Sequence, residues 1–116
     1  MTEQNWPWPD ELDAMIAAAK HHKLLLENEK VRVLDTCIPA GERTAVHTHK
    51  WPATYYVMSF SDFIRYDDKD NVVLDSRTLA QLPSVGTAMW SEPLVPHSLE
   101  NIGAQDLRVI SIEIKK

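Results

Sequence analysis

The sequence has 116 residues, which fits one domain, and 44% of them are apolar, enough for one core. The formal net charge of −5 supplies no basic footprint for nucleic acid. No apolar run approaches the roughly 20 residues that span a bilayer, Met1 to Asp10 holds no basic stretch followed by an apolar one, and the lone Cys37 cannot form an internal disulfide. The expectation is a cytoplasmic protein without membrane or nucleic-acid partners.

In chain order, Trp6-Pro7-Trp8-Pro9 comes first. Its alternating prolines forbid a helix and favour an extended arm. Two tryptophans on such an arm need cover, either from the barrel or from a second copy. Asp10 then stands where an N-cap would, and Leu12, Met15, Ile16 and Ala19 form one apolar stripe, which predicts a short helix over residues 10–20. Lys20, His21, His22 and Lys23 close it. Neighbouring histidines on a helix face different ways and do not chelate, so His21 and His22 are expected on the surface.

Everything further along reads as strand and turn. Candidates are residues 31–38, 53–60, 63–66, 72–74, 87–90 and 107–114, separated by polar clusters such as Asp67-Asp68-Lys69-Asp70-Asn71, a solvated hairpin tip. Val109, Ile110, Ile112 and Ile114 are apolar at nearly every position, which predicts a strand buried on both faces. Many short strands of this kind predict an all-β sandwich or barrel. The division is an arm, helix and first strand over 1–30 and a β-barrel over 31–116.

Three histidines carry the candidate chemistry. His47-Thr48-His49 has the spacing that places both side chains on one face of a strand, where two imidazoles can converge on an ion. His97 follows Pro93 and Pro96, so a confined backbone holds it at the start of a strand.

The arrangement resembles the cupin superfamily. Gly41, His47 and His49 match the start of the first cupin motif, and Tyr56-Val57-Met58 looks like the strand that follows it. Gly86, His97 and Asn101 match the second motif, with the proline displaced by one place to Pro93. The resemblance covers about residues 31–114. It implies a double-stranded β-helix, a cupin jelly-roll barrel preceded by the short N-terminal α-helix, and a divalent metal ion on His47, His49 and His97. The sequence departs from the pattern where the first motif carries a glutamate ligand: the chain has Ala53 and Thr54. The closing glycine is replaced around Phe60-Ser61, and the second motif's inner glycine is Leu94.

Some cupins, including thiol and diketone-cleaving dioxygenases, bind metal through three histidines only. Neutral imidazoles would leave the full +2 on the ion, a site suited to anions, and three nitrogens suit Fe, Zn, Ni or Cu alike. The expected function is therefore a metal-dependent, dioxygenase-like enzyme acting on a small anionic or chelating molecule. The alternative is a non-catalytic small-ligand-binding cupin without bound metal. Tyr55 is the catalytic candidate, since alternation from Ala53 turns its ring to the side of the absent glutamate. Trp51 and Trp90 are nearby aromatics that wall the pocket or pack the core, and Arg43, Arg65 and Arg77 are candidates to clamp a substrate carboxylate. Cys37 is expected in buried packing and Asn101 as a structural residue beside the histidine strand. By analogy with small cupins, and because of the tryptophan arm, a homodimer is expected.

Overall fold

A computed structural model describes residues 6–115, so the reading of the first ten residues lies partly outside the described residues. Nine strands follow an irregular N-terminal segment: β1 (His22–Glu27), β2 (Val31–Ile38), β3 (His47–His49), β4 (Ala53–Ser59), β5 (Phe63–Asp67), β6 (Val72–Asp75), β7 (Ala88–Ser91), β8 (Leu94–Asn101) and β9 (Leu107–Ile114). They form two antiparallel sheets, β1-β2-β9-β4-β7 and β3-β8-β5-β6, which face each other as a barrel. The predicted strand runs 31–38 and 107–114 coincide with β2 and β9.

Alternation decides what faces inward. The pairing of β2, β9 and β4 sets the side chains in rows across the large sheet. Arg32, Glu113 and Ala53 form one row, Leu34, Ser111 and Tyr55 the next, then Thr36, Val109 and Val57, with Ile38 and Leu107 beyond. Leu34, Val57, Ile38 and Leu107 are buried and form the core. The prediction that β9 is buried on both faces fails. Its inner face carries Ser111 and Glu113, both buried, while Ile112 on the outer face is 36% exposed. Its apolar outer face conceals an alternation whose inner members are polar at the C-terminal end.

The predicted helix over 10–20 is broken into three pieces: a 3-10 turn at Asp10–Leu12, one α-turn at Ala14–Ala17 (α1) and a second 3-10 turn at Ala19–His21. Asp13 causes the first break. It is extended, caps α1 by accepting from Met15 N at 3.0 Å, and bridges backbone to Thr48. Its carboxylate also takes both terminal nitrogens of Arg32, at 2.8 and 3.0 Å. The predicted stripe is displaced as well: Ala14 and Ala18 are buried, whereas Ile16 is 63% exposed. Small residues let this segment lie close against the barrel.

The glycines of the two motifs, Gly41 and Gly86, sit at φ of +83° and +85°, where a side chain would be strained. Asn101 is fully buried, and all its capacity is used. Its amide donates to the Ile38 and Gln105 carbonyls, and its oxygen accepts from Ser61 Oγ and Gly103 N. The structural role expected for it holds. Cys37 does not pack in the core but lies half-buried on the outward-facing positions of β2, where burial pushes its thiol up. Among the described residues no helix is long and apolar enough to cross a membrane.

Candidate metal centre

One end of the barrel is lined by imidazoles. β3 and β8 pair with His47 opposite His97, and their ring centroids are 4.4 Å apart. His47 and His49 are two apart on β3, so both rings turn inward, 5.0 Å apart, and the pairing with β8 shifts register between them. The fourth ring comes from the other sheet. His22 opens β1, is buried, and stands 4.8 Å from His47 and 5.2 Å from His49. One donor atom from each of His22, His47 and His49 lies within 4.8 Å of the others, close enough for the three to hold a metal ion. His97 lies beside this group, 5.8 Å from His49 by ring centroids.

His21 and His22 are both buried, contrary to the surface placement expected for them. Residue 22 belongs to a strand rather than a helix end, so successive side chains point to opposite faces. His22 enters the barrel, and His21, also buried, turns to Glu42 Oε1 at 2.8 Å.

The hydrogen bonds sort the ring nitrogens. Nδ1 of His22 meets the Ala18 carbonyl at 2.9 Å, that of His47 the Ala45 carbonyl at 2.7 Å, and that of His97 the Val95 carbonyl at 2.8 Å. A carbonyl only accepts, so each of these Nδ1 atoms carries the proton and each Nε2 keeps its lone pair. His49 Nδ1 meets Glu113 Oε2 at 2.7 Å. None of the four Nε2 atoms has a hydrogen-bond partner among the described residues. Outer nitrogens anchored to carbonyls or a carboxylate, with inner nitrogens free, are the pattern of metal-ligating histidines. The donor set therefore fits a divalent ion.

Electrostatics point the same way. Burial, with the neighbouring His49, lowers His22 to about 4 and His97 to about 3. Burial and the other rings push His47 still lower. These rings are neutral at ordinary pH, as ligands must be.

Besides His22, the sequence reading missed Glu113. It is buried, and its other oxygen accepts from Arg32 Nε at 2.6 Å, so a chain Asp13–Arg32–Glu113–His49 runs from the N-terminal segment to the site. Burial pushes both carboxyls up, but Arg32, and for Glu113 also His49, outweighs it and holds them below their ordinary values. Register explains the location: Glu113 lies directly across from Ala53, one of the two positions where the resemblance would put a glutamate. A lone glutamate within Ile112-Glu113-Ile114 was the available signal.

Behind the histidines lies a cavity of about 130 Å³ with largely apolar walls, among them Ile38, Val57, Phe63, Leu99 and Leu107. Tyr55 lines it, as alternation predicts, and burial pushes its phenol up, so it remains a proton donor. Trp51 and Trp90 neither wall this cavity nor pack the core. Trp51 lies outside under Arg32, Lys50 and Lys115, and Trp90 is 58% exposed and donates to Glu92. Met89 lines the cavity in their place. Of the three candidate clamps, Arg43 pairs with Asp70 and stacks on Tyr66, and Arg77 pairs with Asp75. Arg65 alone lines the cavity.

No protein-family model matches the sequence, and no curated protein matches it. Solved structures do. The chain is similar to a cupin domain from Bordetella pertussis Tohama I, at 20% identity and a TM-score of 0.65 over 82% of this chain and 92% of that one. It is similar to an RmlC-like cupin from Methanocaldococcus jannaschii, at 13% identity and a TM-score of 0.57 over 80% and 77%. A polyketide cyclase from Streptomyces resistomycificus shares 15% identity and a TM-score of 0.53 over 82% and 64%. The chain has the cupin fold, a double-stranded β-helix, with buried histidines gathered at one end of it.

Proposed function

We propose that the chain is a small metal-binding cupin whose ion is held by His47, His49 and His97, with His22 as a fourth donor from the opposite sheet. It acts as a dioxygenase-like enzyme on a small anionic or chelating molecule. The observation that carries this is the sorting of ring nitrogens: four outer nitrogens are engaged by the protein and four inner ones are free. A divalent ion there would supply Lewis acidity and, if iron or copper, redox chemistry.

The chain's own residues do the rest. Glu113 fixes the orientation of the His49 ring through the bond at Nδ1. The apolar wall limits water and leaves room for a small molecule rather than a polymer. The Tyr55 hydroxyl, held protonated by burial, donates a hydrogen bond to a bound anion. A second copy of the chain is also part of this reading. Leu24, Leu25 and Leu26 on the edge strand β1 are 43%, 47% and 54% exposed, an apolar edge that a dimer would cover. Sedimentation at the mass of one chain would count against that part.

The test of the site is metal stoichiometry. His47→Ala, His49→Ala and His97→Ala should each reduce bound metal from one equivalent to near none, and His22→Ala should weaken affinity at least tenfold. His21→Ala should leave both unchanged. Wild-type protein that takes no metal from Fe, Zn, Ni or Cu solutions, yet still binds small ligands in the cavity, would replace this reading with the non-catalytic binding module.

A further inference from the structure

The sequence has five arginines, and four of them are ion-paired: Arg32 with Asp13 and Glu113, Arg43 with Asp70, Arg77 with Asp75 and Arg108 with Asp35. Arg65 pairs with no carboxylate among the described residues. It lies on β5, and alternation puts it on the inward face with Phe63. Its Nε is buried and has no hydrogen-bond partner. A guanidinium is always charged and presents a planar fork of donors, so leaving one unpaired beside apolar walls is costly unless something that accepts arrives.

A second polar atom nearby is in the same state. Ser111 Oγ is buried without a partner and lines the same cavity. Ser111 lies directly across from Tyr55 in the large sheet, so the two side chains leave the strands side by side. Arg65, Tyr55, Ser111 and His97 all line this one cavity. The remaining wall is largely aliphatic and aromatic, with Phe60, Phe63, Leu99 and Val109 among its members.

We propose that Arg65 is the anion-recognition residue of the cavity, which takes a small monocarboxylate with a short apolar body. Its carboxylate is held in the guanidinium fork, with Tyr55 and Ser111 hydroxyls as further donors. One cation matches one negative charge, and a doubly charged phosphate would leave a charge buried without compensation. This rests on the reading of the cavity as a small-anion site, and it separates from the metal, because the fork needs no ion to bind a carboxylate.

The probes are butyrate, its uncharged counterpart butyramide, and inorganic phosphate, titrated by NMR chemical shifts into metal-loaded and chelator-treated full-length protein. Butyrate should bind at least tenfold more tightly than butyramide in both preparations, and at least tenfold more tightly than phosphate in the chelator-treated protein, where no metal charge can compensate the second phosphate charge. Arg65→Met should abolish that preference while binding metal like the wild type. Arg65→Lys, which keeps the charge but not the fork, should retain part of it. Replacing an unpaired buried charge by an apolar chain of similar length should leave the melting temperature unchanged or higher. Butyrate binding equally well to Arg65→Met and wild type, butyramide matching butyrate in the wild type, or phosphate matching butyrate in the chelator-treated wild type would overturn the proposal. If the wild type takes no metal but the Arg65-dependent preference persists, the metal reading falls and this one stands. If butyrate binds only with metal and regardless of residue 65, the proposal falls and the metal reading stands.

Discussion

The two ends of the barrel each bury polar side chains, and they treat them in opposite ways. At one end Asn101 spends its whole hydrogen-bonding capacity inside the protein, tying β2, β8 and the loops around Ser61 and Gly103 together. At the other end each histidine spends only its outer nitrogen, and Arg65 and Ser111 leave groups unpaired. A saturated buried polar group stiffens a fold, while a half-saturated one is a site waiting for a partner.

The comparison is sharpest where it can be broken. The largest effect should come from Asn101→Ala, which orphans one buried and one part-buried carbonyl and removes the acceptor of two further bonds at once. A loss of about 3 kcal/mol or more is expected in urea unfolding, with metal affinity per folded molecule unchanged. A milder loss, under about 1 kcal/mol, would mean that this end is not the fastening it appears in the hydrogen-bond pattern.

The histidine end should show itself through pH. His22 and His97 resist protonation in the folded protein, at about 4 and about 3, against an unfolded value near 6.5. As pH falls below 6.5 the unfolded chain takes up protons that the folded chain refuses. Stability present above 6.5 is therefore lost as pH drops towards 4, on the order of 3 kcal/mol from His22 alone. Asp13 and Glu113, held below their ordinary values, add a loss of the same sign at lower pH. His22→Gln should flatten the upper part of the curve. A metal-free stability that is flat between pH 7 and 4.5 would contradict the assignment of buried neutral rings.

The smallest of these effects concerns Glu113. Glu113→Gln keeps the shape but removes the charge that orients His49, and metal affinity should fall about 10- to 100-fold. The cavity's preference for a carboxylate over an amide should not change. An unaltered metal affinity would mean that the Asp13–Arg32–Glu113 chain serves stability alone.

How far this was readable from the sequence differs residue by residue. β2 and β9 are long and β-branched, so their limits were legible, and His47 and His49 carry their own spacing. Asn101 and the two positive-φ glycines follow from the motifs. His22 was not legible, because an apolar stripe at helical spacing runs up to it and Asp13, the residue that breaks the helix, does so through a partner nineteen positions away. Glu113 was hidden for a related reason. The outward isoleucines on either side of it made β9 look wholly apolar, and only cross-strand register reveals that it stands opposite Ala53. What sequence spacing misses here is in each case a contact made across strands.

The placement of Glu113 has a kinetic consequence. Its bonds to His49 and Arg32 span 64 and 81 residues of chain, and β2 reaches β9 only after everything between them has been made. Contacts of such long range close late and slowly. A nascent chain that has emerged through β8 holds all four imidazoles but not the carboxylate that orients His49, and β4 has no central neighbour. Under the proposed metal reading, a chain that lacks the last strand would bind an ion about 10- to 100-fold more weakly than the finished barrel.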